Sequence, residues 1–129
     1  MAEAEAFLDK AQESLGSAED DYDKGRYNSC ARSLYYAAFQ AAVAALLAEG
    51  IRPRGRWEHE FVHARFAGVL VRSRKAYSAG FAALLPKAFQ LRGEADYSAT
   101  PVAARRAGRI LEDTRDLVRA VKESVSGDR

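Results

Sequence analysis

Apolar residues recur three and four positions apart along most of this chain, which is the period of an amphipathic helix and not of a strand. Phe7, Leu8, Ala11, Leu15, Ala18 and Tyr22 form the first such series, and Gly25 stands where a left-handed helix terminus belongs. Tyr27 to Glu49 carries Tyr27, Cys30, Ala31, Leu34, Tyr35, Ala38, Ala41, Ala42, Ala45 and Leu46 on one side and more alanines on the others, so it is expected to be the central helix, ended by Gly50. Ile51 to Arg56 reads as a loop from its proline and glycine. A third helix is expected from near Trp57, carrying Phe61, Val62, Phe66, Val69 and Leu70. A fourth apolar run, Ser78 to Arg92, contains Pro86, which requires the helix to kink or to start again. Gly93 is expected to loosen that helix just beyond Arg92. Thr100-Pro101 has the chemistry of an N-cap followed by a first-turn proline, predicting a last helix from there to about Val125. The pattern predicts an all-α fold, an up-and-down antiparallel bundle of four long helices with a short fifth.

Composition agrees with that pattern and narrows the class. The chain has 129 residues, 48% of them hydrophobic and 29% charged, enough for one domain spanning 1–129 with its own core. No repeat, low-complexity segment or linker interrupts it. No uninterrupted apolar stretch has the length of a membrane span, and the acidic start, Glu3 and Glu5, is unlike a signal peptide, so a cytoplasmic protein with no membrane contact is expected. Cys30 is the one cysteine and reads as a small buried hydrophobe. His59 and His63, one turn apart, could share a metal, but no third ligand completes a site, and neither metal nor cofactor is expected.

Charge is unevenly spread. Glu3 to Lys24 is strongly acidic, whereas Arg26 to Lys75 is strongly basic, with Arg52, Arg54 and Arg56 crowded into one loop. A basic middle attracts phosphates or simply solvates helix faces; both readings stand.

The densest polar chemistry lies in Leu91-Arg92-Gly93-Glu94-Ala95-Asp96-Tyr97-Ser98, where the fourth helix should be ending. Arg92 presents a planar donor fork suited to phosphate. A purely architectural role is equally open: Arg92 paired with Asp96 one turn on, Asp96 or Ser98 capping local backbone, Tyr97 packed in the core, and Arg32 with Tyr36 in the same network.

Three stretches together resemble the HEPN family. They are Ala31 to Ala42 with Leu46, Leu47 and Gly50; then His59, Val62 and Phe66; then Leu91 to Ser98. The resemblance implies a helical bundle that commonly forms homodimers and is concerned with nucleotide or RNA. Many members are metal-independent RNases, often toxins, that use an arginine followed four to six residues later by histidine. Others lack that pair and act as binding or partner domains, frequently beside a minimal nucleotidyltransferase in toxin-antitoxin pairs. This chain departs from the nuclease pattern: Tyr97 stands where histidine is expected. A phenol titrates near pH 10, far from the range in which a general base is useful. Arg54 and His59 reproduce the spacing literally, but ahead of the third helix.

The resemblance therefore puts ligand binding on Arg92, Asp96, Tyr97, Arg32, Tyr36 and His59, with Arg92, Tyr97 and His59 as the catalytic candidates. Three functions follow: a nucleotide- or RNA-binding component of a toxin-antitoxin or minimal-nucleotidyltransferase pair, an active metal-independent RNase, or a non-catalytic protein-interaction module.

Overall fold

The computed structural model of the chain describes residues 2–126; residue 1 and residues 127–129, the ends of the expected 1–129 domain, lie outside the described residues. Five α-helices form: α1 (Ala2–Asp23), α2 (Tyr27–Ala48), α3 (His59–Arg65), α4 (Leu84–Tyr97) and α5 (Ala104–Val125). No strand occurs among the described residues.

α1 and α2 are separated by a short turn built on Gly25, whose φ of 75° is a conformation that side chains with a Cβ resist. Gly25 N–H donates to the Tyr22 carbonyl at 3.1 Å and Arg26 N–H to that of Asp21 at 2.8 Å. That pair of bonds is a Schellman terminus, and it satisfies carbonyls the helix end would otherwise leave open. Gly50, at φ 77°, ends α2 in the same way, with Ile51 N–H reaching back to the Leu46 carbonyl at 2.9 Å.

Side-chain pairs fix the directions of the helices. Ser29 bonds Asp21 and Ser14 bonds Gln40, so α1 and α2 run antiparallel. Arg32 meets Asp96 while Tyr36 meets Arg92, so α4 runs antiparallel to α2; Arg106 on Glu94 begins the return along α5.

α2 is the axis of the bundle and packs against α1, α4 and α5. Ala41 to Leu46 are all fully buried. Small alanines let backbones approach closely, while Leu34, Tyr35 and Leu46 fill the spaces between helices. Each large apolar side chain so buried contributes roughly 1.5–3 kcal/mol. By length and composition alone α2 could cross a membrane, against the expectation that no stretch could; in this fold 67% of that window is inside the bundle.

Of the two outcomes expected at Pro86 the structure has the new start: a 3-10 turn, Ala79–Phe81, precedes α4, and Pro86 falls in the first turn, where its absent N–H is not needed. Other local expectations are corrected. α4 does not loosen at Gly93 but continues to Tyr97, because buried Leu91 and half-buried Ala95 hold it on either side. α5 begins at Ala104 and not at Pro101. The cause is tertiary: the Val102 side chain is buried, and its amide donates to Asn28 Oδ1 at 3.0 Å, which holds the strap after Ser98 against α2. The third helix changes pitch, running as α3 to Arg65 and then as a π-helix over Phe66–Ser73.

Candidate functional site

The site grows from Tyr35. Its ring is on the buried face of α2, 1% exposed, and a buried phenol needs a partner for its hydroxyl. It has two. His59 and His63 lie one turn apart on α3 and face the same way; Tyr35 Oη is 2.6 Å from His59 Nδ1 and 2.8 Å from His63 Nε2. A hydroxyl has one proton, so Tyr35 donates to one imidazole and accepts from the N–H of the other. His59 Nε2 is left without a hydrogen bond among the described residues.

Burial drives Tyr35 well above the usual phenol range, opposed only in part by the nearby Arg92 charge, so the hydroxyl keeps its proton. Burial, and then the neighbouring His59, lowers His63 below the usual imidazole range, which favours its neutral form. Phe89 on α4 closes the group, with its ring 5.0 Å from His59, 5.7 Å from His63 and 5.3 Å from Tyr35.

Arg92 stands on the other side of Tyr35. Its guanidinium carbon is 5.7 Å from the Tyr35 ring centre and 5.5 Å from that of Tyr36, within cation-π range of both. Asp96 Oδ2 is 3.6 Å from Arg92 Nε, too long for a hydrogen bond, because Asp96 gives its other oxygen to Arg32 Nε at 2.6 Å. Arg92 makes no hydrogen bond among the described residues and is 27% exposed. A fork of donors is thus fixed in place by two rings and one distant carboxylate, and its donors are unused.

The structure therefore brings together Arg32, Tyr36, Arg92 and Asp96, and across Tyr35 it adds His59. Tyr97 does not join them. It is 88% exposed, five residues on from Arg92 and so turned about 140° around the helix. This corrects the expectation of Tyr97 as a core ring. Ser98 does bond local backbone, accepting from Thr100 N–H at 3.1 Å. Arg54 is exposed in its loop, with no hydrogen bond or ion pair among the described residues. The two histidines direct one nitrogen each at a phenol, and no group of three or more His, Cys, Asp or Glu side chains converges among the described residues. Cys30 is fully buried, and burial raises its thiol to about 11, which leaves it unreactive.

Sequence reasoning missed Tyr35, read as core, and Phe89, read as part of an apolar run. The available signal was a tyrosine on the central helix facing two histidines spaced by one turn. Phe89 also precedes Arg92 by three residues, which puts both on the α2 side of α4.

Beside this network a cleft of about 600 Å³ opens between the start of α3 and α4, walled by Trp57, His63 and Phe89 with Arg56 at its rim. Trp57 is held edge-on by Phe7 of α1 at 6.3 Å and by Phe61 at 6.1 Å.

A model of the HEPN domain matches residues 4–124, nearly the whole described chain. The chain belongs to the HEPN family. It is also similar to the UPF0332 protein of Archaeoglobus fulgidus, 29% identical over 137 aligned residues that cover 100% of both chains. In this HEPN domain Arg92 is followed five residues later by exposed Tyr97, and Arg92 on α4 and His59 on α3 both contact Tyr35.

Proposed function

We propose that this HEPN domain binds nucleotide or RNA on the face where Arg92, Tyr36, Phe89 and His59 meet. The observation that carries the reading is the guanidinium of Arg92, oriented by two rings and without a hydrogen-bonded partner among the described residues. Such a fork matches a phosphate group. Tyr36 and Phe89, 44% and 42% exposed, are ring faces beside it, on which bases stack. Arg92→Ala is expected to weaken binding of single-stranded RNA and nucleotides by tenfold or more while the circular dichroism spectrum stays helical. Unchanged affinity in a folded variant would refute the reading.

A second reading is favoured by one feature, the open Nε2 of His59. In metal-independent RNA cleavage a 2′-hydroxyl attacks the adjacent phosphorus, forming the O2′–P bond and breaking P–O5′. His59 Nε2 suits the proton leaving O2′, a proton is returned to O5′, and Arg92 suits the charge gathering on the phosphoryl oxygens. Incubation with RNA in chelator tests it: cleavage by the wild type, lost in both His59→Ala and Arg92→Ala, supports the reading, and equal traces in all three sink it.

We further infer that the chain acts in the cytoplasm as a homodimer and as a component of a toxin-antitoxin or minimal-nucleotidyltransferase pair, a reading supported by its membership of the HEPN family. Light scattering giving a monomer mass at micromolar concentration would remove the dimer. Failure to co-purify with an adjacently encoded nucleotidyltransferase would remove the pair.

A further inference from the structure

The cleft beside His59 has polar chemistry that phosphate recognition at Arg92 does not use. Its volume, about 600 Å³, is that of a small-ligand site. Trp57 and Phe89 give it aromatic walls, which suit a flat ligand with a π face. Its rim is formed by Arg56, Glu58 and Glu60, which stand within five residues of each other yet make no ion pair or side-chain hydrogen bond among the described residues. Glu58 occupies the N-cap position of α3 without capping it. A guanidinium and two carboxylates therefore line one aromatic cleft, their hydrogen-bonding groups open to a ligand.

We propose that this cleft is a guanine pocket. The inference rests on the nucleotide reading above and names the base. Guanine presents two adjacent acceptors, O6 and N7, that fit an arginine fork. On its other edge it presents two adjacent donors, N1–H and the 2-amino group, that fit one carboxylate. Adenine and cytosine offer a carboxylate one amino donor beside a ring-nitrogen acceptor, and uracil offers one N–H between two carbonyl oxygens that a carboxylate repels. Arg56 takes the O6/N7 edge, and Glu58 or Glu60 takes the N1/N2 edge. Phe89 is common to both parts of the site: it walls the cleft and contacts the Tyr35 ring on which Arg92 lies.

The purified chain is titrated calorimetrically with GMP, IMP, AMP, CMP and UMP, and with mixed-sequence single-stranded RNA. The expected result is GMP binding roughly tenfold or more tighter than AMP, CMP and UMP. IMP, which lacks the 2-amino group, falls below GMP. In the Glu58→Gln and Glu60→Gln double variant the preference for GMP disappears. RNA or nucleotide binding without a GMP preference overturns the guanine pocket and leaves the underlying reading intact, whereas no binding of any of the six overturns both. A preference retained by the double variant overturns the role of the carboxylates. IMP probes the same contact from the ligand side, so the outcome does not depend on a variant folding.

Discussion

Tyr35 serves two neighbours with one hydroxyl, and His63 is the member of that group with a pH-dependent consequence. In the unfolded chain its imidazole takes up a proton near pH 6.5, while in the fold burial and His59 hold it neutral to lower pH. Between those two values the unfolded state binds more protons, so stability is full above about pH 6.5 and falls as pH drops through the folded value. Urea denaturation at pH 7.5 and 5.5 should show that loss, and His63→Gln should flatten it. Loss of binding in Arg92→Ala belongs to the same scale, since its guanidinium is positioned by Tyr35 and Tyr36 and by no hydrogen bond among the described residues. Arg92 and Asp96 were legible in the sequence because charges spaced by one helical turn suggest their own pairing, whereas Arg32 reaches Asp96 from 64 residues away. Tyr35 was not, since a ring on the buried face of the central helix has the sequence signature of core. Its partners come from a helix more than twenty residues away, its bond to His59 being one of sequence separation 24.

At the scale of helices, periodicity located α2 to within a residue, and Gly25 and Gly50 ended α1 and α2 where expected, while α1 starts at Ala2, five residues ahead of the first residue of its apolar series, Phe7. The failures have separate causes. Thr100-Pro101 has the local chemistry of a helix start, but the Val102 amide is held by Asn28, and tertiary contact outweighs propensity. The π-helix over Phe66–Ser73 was equally hidden, since its change of pitch leaves no mark in a pattern of apolar residues this short. α4 shows the opposite balance at Gly93, a glycine within a helix that has survived it. A Cβ at Gly93 would meet nothing within 4 Å. Gly93→Ala should therefore raise stability by about 0.5–1 kcal/mol, read from the midpoint of urea unfolding. A fall would show that the backbone there needs glycine for a reason other than space.

The whole molecule resolves a charge asymmetry that looks unbalanced along the chain. The acidic first helix lies against basic groups from distant segments, with Glu3 on Arg52 and Glu19 on Arg115, and against Arg26 of the turn that follows it, which pairs with Asp21. These exposed pairs each contribute little, and burial around α2 holds the bundle together. Leu34, fully buried on α2, is the direct probe. Leu34→Ala should cost about 2–5 kcal/mol in chemical denaturation, the range for large cavities in closely packed cores. A loss under about 1 kcal/mol would mean that the surrounding alanine-rich helices can collapse into the gap. The overall bundle was readable in advance because it depends on periodicity repeated over long helices. The cleft was not, because it forms where α3 and α4 meet, and no short-range pattern records that meeting.

Asp96 ties α2 to α4 by accepting from Arg32 while standing near Arg92, and the same carboxylate offsets two positive charges. It therefore sets how strongly the face depends on ionic strength. With Asp96→Asn both guanidinium groups lose that counter-charge, and each additional phosphate they neutralise on single-stranded RNA should release about 0.7 of a counterion. Binding should tighten in dilute buffer, weaken more steeply as salt is added, and become less selective for ligand shape, because Arg32 and Arg92 would no longer be anchored by a common anion. Equal salt slopes for the two proteins would mean that nucleic acid does not approach this corner of the bundle.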